Sequence, residues 1–156
     1  MSQFTKALVV SPLADGRTWV LLDSFSYDVG AVGSGDTITV PAKFMTDFAS
    51  VPQLFWTVLP PWGRYGNAAV IHDFCYWDKT RTRFQADRIF LQAMKVLKVG
   101  VLTRYTLFGF VRLFGRWAWW QDRRFKRGGG SMIAYRLPEK SVDGPADVRE
   151  PATAPS

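Results

Sequence analysis

The 156-residue chain is 47% hydrophobic and 15% aromatic, enough apolar material for one packed core, which excludes wholesale disorder. A single Cys and a single His exclude an internal disulfide scaffold and the usual structural zinc sites. Charge is uneven: residues 1–78 set 4 Lys and Arg against 7 Asp (net −3), and residues 79–127 set 13 against Asp87 and Asp122 (net +11), so an anionic partner is expected.

Residues 7–11, 18–28 and 36–46 are rich in β-branched and aromatic side chains and are separated by Gly-containing turns. They predict about three strands in a small N-terminal antiparallel sheet. The N-terminal segment has one Lys and a very short apolar run and does not read as a signal peptide. The apolar run over residues 48–63 is broken by Pro52, Pro60 and Pro61 and does not read as a transmembrane helix.

A helix is predicted over residues 64–77, with Pro61 stopping the loop before it. After a short connector, a second runs over residues 82–97, with Thr82 as N-cap and Ala86, Phe90, Ala93, Met94 and Leu97 on its apolar face; Gly100 ends it. A third spans residues 102–125. Its Arg104, Arg112, Arg116 and Arg123 share one face, and Trp117, Trp119 and Trp120 cluster in its C-terminal half, as expected of a surface that meets a partner or a membrane. Gly128-Gly129-Gly130-Ser131 reads as a flexible joint, and the Pro- and Ala-rich tail over 136–156 as disordered in isolation. The expectation is one α+β domain over 1–135: a sheet, an antiparallel helical hairpin and a long third helix.

Ala69, His72, Asp73 and Tyr76 stand at i, i+3, i+4 and i+7 and line one stripe of the first helix. In an antiparallel hairpin centred between Lys79 and Thr80, His72 and Asp87 are equidistant from the turn and lie at the same height. A carboxylate against an imidazole fixes its tautomer and stabilises the imidazolium, which is the base and orienter of a hydrolytic site. Asp73 is then available for a hard cation together with loop oxygens. The same residues also admit a plainer role: a hydrogen-bonded His–Asp pair, turn caps at Asp47 and Ser50, and a buried thiol at Cys75.

Two resemblances follow from these residues. Phe44-Met45-Thr46-Asp47-Phe48-Ala49-Ser50-Val51-Pro52, Ala69-Val70-Ile71-His72-Asp73 and Arg83-Phe84-Gln85-Ala86-Asp87-Arg88-Ile89-Phe90 occur in order and resemble the signature of a small uncharacterised family of tailed bacteriophages and prophages. That resemblance implies a virion or an infected bacterial host as the setting. His72-Asp73-Phe74-Cys75-Tyr76 followed by Ala86-Asp87-Arg88-Ile89-Phe90 is similar to the catalytic helices of phospholipase A2. It implies His72 as the water-activating base, Asp87 as its orienter, Asp73 as a calcium ligand and Asp47 as a loop ligand. The chain lacks the paired cysteines and the glycine-rich calcium loop of that family.

Two classes of function are therefore expected: a phage-encoded, calcium-dependent lipid ester hydrolase, and a non-enzymatic virion or assembly component that binds other phage structural proteins. Anionic lipid is the partner expected of the first. Nucleic acid ranks third, because arginine and tryptophan are mixed on one helix without a recognisable binding motif.

Overall fold

The computed structural model describes residues 3–15, 18–47 and 64–134. Six short strands come first: β1 (Gln3–Phe4), β2 (Val10–Pro12), β3 (Trp19–Leu21), β4 (Phe25–Asp28), β5 (Thr37–Val40) and β6 (Met45–Thr46). Three helices follow, α1 (Gly66–Asp78), α2 (Arg83–Val96) and α3 (Val101–Arg127). The α+β order is as expected. The strands, however, form two three-stranded antiparallel sheets, β1–β4–β5 and β2–β3–β6, where one sheet was expected.

The cause is local. The long strand expected over 18–28 bends where the Asp23 carboxylate accepts from the Ser24 N–H (2.8 Å). The strand expected over 36–46 breaks at Pro41, which has no N–H, and at Lys43, whose φ is 69°. Each half then joins a different sheet.

Leu21, Phe25, Tyr27, Ile38 and Val40 turn into the main core, and Val20 packs with Leu13, Met45 and Ala134 in a second, smaller one. Helix α1 packs against β5 and β6 and also touches α2 and α3. It is the central helix, buried at Ala68, Ala69, Val70, Ile71, His72, Cys75 and Tyr76, and so it has no single apolar stripe. Helix α2 is amphipathic and starts on a capping box, in which the Thr82 hydroxyl accepts from the Gln85 N–H and the Gln85 side chain accepts from the Thr82 N–H.

The glycine-rich segment after α3 is not a free joint, contrary to its composition. Gly129 adopts φ 82° and turns the chain back towards the sheets. There the Met45 N–H donates to the Met132 carbonyl (2.7 Å), the Ala134 N–H donates to Lys43 (2.8 Å), and Phe44 bridges Ile133. Backbone pairing beyond a helix gave no composition signal. Ser50, Pro61 and the tail over 136–156 lie outside the described residues.

Candidate active site

The hairpin register puts His72 and Asp87 together. The His72 Nε2 is 3.0 Å from Asp87 Oδ1, with His72 3% exposed and Asp87 fully buried. Two more groups donate to the same carboxylate. The Tyr76 hydroxyl reaches Oδ1 (2.6 Å), and the Arg112 Nη1 reaches Oδ2 (2.8 Å). Arg83 stands 3.9 Å from Oδ2 and donates to the Arg112 carbonyl (3.1 Å), bracing α2 against α3.

Burial alone would push the Asp87 carboxyl up. The hydrogen bonds from His72, Tyr76 and Arg112 outweigh it and hold the group below its ordinary value. The Tyr76 hydroxyl moves the other way, raised by burial and by its bond to Asp87. An ionised Asp87 can only accept, so Nε2 donates to it, and in the neutral imidazole Nδ1 is the nitrogen that holds the lone pair. Nδ1 is buried and has no hydrogen-bond partner among the described residues. The ring is held by Tyr76 and Phe90, whose centroids lie 4.1 and 5.0 Å away.

His72 lines a cleft of about 380 Å³. Asp47, Asp73 and Asp122 line it as well, and α3 supplies an apolar wall of Leu107, Phe110, Val111, Phe114, Trp117 and Ala118. Asp73 accepts a 2.5 Å bond from the Thr46 hydroxyl at the end of β6, and its other oxygen is 4.0 Å from His72 Nδ1. Asp47 follows Thr46 directly. The carboxylates are hard oxygen donors of the kind calcium takes, but the described residues hold no group of three or more His, Cys, Asp or Glu arranged to bind a metal.

The remaining residues singled out by sequence are more scattered. The arginine stripe divides: Arg112 turns in to Asp87, Arg104 is half-buried beside Tyr105, and Arg116 and Arg123 are exposed. The tryptophans divide too. Trp117 and Trp120 are exposed, whereas Trp119 packs edge-on against Tyr76 at 5.0 Å under the Lys79 ammonium. Cys75 is a buried thiol, its pKa pushed up to about 12 by burial, which leaves it a poor nucleophile.

Sequence reasoning missed Arg112 and Thr46 as partners of the site, since 25 and 27 residues separate them from Asp87 and Asp73. It also missed Asp122. That one had a signal, being the single acid among the cations of α3. Burial raises its pKa and Asp47 adds to the effect, while Lys79 opposes it.

The segment that carries β3–β6, the hairpin and the first part of α3 is the segment a known family profile matches, over residues 19–111; the profile is described as "Protein of unknown function (DUF1353)". The chain belongs to the DUF1353 family. A curated relative of this DUF1353 chain, the "Uncharacterized protein y4jT" of Sinorhizobium fredii (strain NBRC 101917 / NGR234), is 40% identical over 85 residues, 53% of this chain. Those residues make up 24% of the relative, so the match spans about a quarter of that protein's length. No solved structure matches the chain. Among the described residues no helix is long and apolar enough to cross a membrane.

Proposed function

We propose that this chain is a hydrolase of lipid esters in which His72 activates water and Asp87 orients it. The observation that carries the reading is the polarity of His72: Nε2 is committed to a buried, three-donor carboxylate, while Nδ1, 4.0 Å from Asp73 and without a hydrogen-bond partner among the described residues, belongs to a ring that lines a cleft. His72 Nδ1 removes a proton from water, and the hydroxide oxygen forms a bond to the ester carbonyl carbon. The C–O bond to the leaving alkoxide then breaks. His72 returns the proton to that alkoxide, releasing an alcohol and a carboxylic acid. Asp87 stabilises the imidazolium between the two steps.

The apolar wall on α3 suits an acyl chain, and the carboxylates at the other side of the cleft suit a polar head. Asp73 and Asp47 are the residues that would hold calcium. When bound, it would stabilise the developing oxyanion and neutralise a phosphate. The motif resemblance supports a tailed phage or prophage as the source, and a lipid ester substrate would put the place of action at the host envelope.

The test is hydrolysis of phospholipid vesicles and of soluble short-chain esters by the wild type and by His72→Ala, with circular dichroism to verify the fold. Loss of turnover in a folded variant is expected. Turnover equal to wild type would remove His72 from the mechanism, and no turnover by the wild type on any ester, with or without calcium, would overturn the reading.

A further inference from the structure

Helix α3 is apolar on two opposite sides. Its inward side holds Leu107, Val111, Gly115 and Ala118 against the cleft and α1. On the outward side Leu102, Leu113 and Trp120, spaced by eleven and seven residues, fall on one line along the helix and are 83%, 76% and 51% exposed. Trp117, 64% exposed, lies beside that line. Arg116 and Arg123 border it on one side and Arg124 on the other, with the Arg124 guanidinium 4.4 Å over the Trp120 ring. Asp122, the only acid on the helix, is turned inward into the cleft.

We infer that this outward stripe docks the protein on an anionic lipid surface, with α3 lying in the plane of the interface. A line of Leu and Trp with cations on both flanks places apolar side chains below the head groups, while the arginine stems reach up to phosphate. A second copy of the chain is a poor occupant. Parallel pairing of the stripe with itself would bring the arginine borders of both helices together, and an antiparallel pair would bury only the narrow line of Leu102, Leu113 and Trp120 from each copy, little for a stable interface. The cleft argues for lipid as well. Phe114 and Trp117 line it and are also 61% and 64% exposed, so its rim is part of the docking face and a lipid could enter without crossing water. The inference goes beyond the hydrolase reading and does not require turnover.

The experiment is vesicle flotation across a salt series, with phosphatidylcholine alone and with phosphatidylglycerol added, beside sedimentation velocity of the protein alone. The wild type should float with anionic vesicles at low salt at least about tenfold better than with neutral ones, and salt should release it. Arg116→Glu/Arg123→Glu should lose the preference for anionic vesicles, and Leu113→Ser/Trp120→Ser should lose flotation with both. These side chains are exposed, so both variants should keep the wild-type dichroism spectrum. Failure of the wild type to float with anionic vesicles would overturn the inference, as would flotation of Leu113→Ser/Trp120→Ser at the wild-type level. A stable dimer that this last variant dissolves would assign the face to a second copy and would overturn it too. None of these readings depends on hydrolysis, so their failure would leave the His72 proposal standing.

Discussion

Asp87 is fully buried and keeps its charge because every hydrogen bond made to it comes from a donor. Tyr76→Phe removes one of the three donors and should cost about 1.5–3 kcal/mol in urea unfolding, the range for a hydrogen bond to a charged group. Asp87→Asn should do more to turnover than to the fold. An amide can offer His72 either its oxygen or its NH₂, so the tautomer is no longer dictated, and a folded variant should lose roughly 10²–10⁴-fold in kcat. A variant with kcat near wild type would show that Asp87 is there for stability alone. Lys79 is a second residue whose setting can be read out. Its ammonium stands 3.5 Å over the Trp119 ring and donates to the Trp119 carbonyl, and burial lowers its pKa to about 8. At pH 8 it should acylate faster than the exposed lysines in a mass-spectrometric footprint, and the difference should vanish in urea.

Helix α3 presents Gly115 at close range to Tyr76 of α1. A Cβ at this position would overlap the Tyr76 hydroxyl, which is also the group that donates to Asp87. Gly115→Ala should gain up to about 1 kcal/mol of helix propensity and lose about 1–3 kcal/mol to overpacking, for a net loss. It should also lower turnover by pushing Tyr76 off the carboxylate. A variant more stable than wild type would mean that α3 stands off the hairpin. The hairpin itself was legible from residue spacing, because a short connector leaves an antiparallel pair few registers and two apolar faces select among them. The strands were less legible. Their composition was right, but the bend after Leu21 and the break at Pro41 sort the halves into two sheets, a matter of which edges are free to pair.

Across the whole molecule, the buried Asp87 and the half-buried Asp122 pull the pH dependence of stability in opposite directions. Asp87 titrates lower in the folded chain than in the unfolded one, so its contribution is complete above the ordinary carboxylate value, about 3.9, and is lost as pH falls through the lowered one. Asp122 titrates higher when folded. The stability it contributes is complete below that ordinary value and is lost as pH rises through the raised one. Asp122→Asn should therefore melt above wild type at neutral pH, with the gap closing below about pH 4. A gap that does not change with pH would mean that the Asp122 carboxyl is solvated like any surface acid.

The α+β order, three helices near their observed bounds, the Thr82 cap and the pairing of His72 with Asp87 were all contained in the sequence. Each depends on local periodicity or on a short loop, where few residues decide and little chain entropy intervenes. The tertiary structure alone decided the rest. Arg112 turns out of its stripe because α3 crosses the hairpin beside a buried charge whose second oxygen needs a donor. Thr46 holds Asp73 because β6 runs alongside α1, and the segment after Gly129 pairs with Phe44 because an open strand edge is there to receive it. Asp47, Asp73, His72 and Asp122 share one cleft only once β6, α1 and α3 are packed together. Buried polar groups must find partners wherever the folded chain brings one near, and sequence spacing carries no record of those meetings.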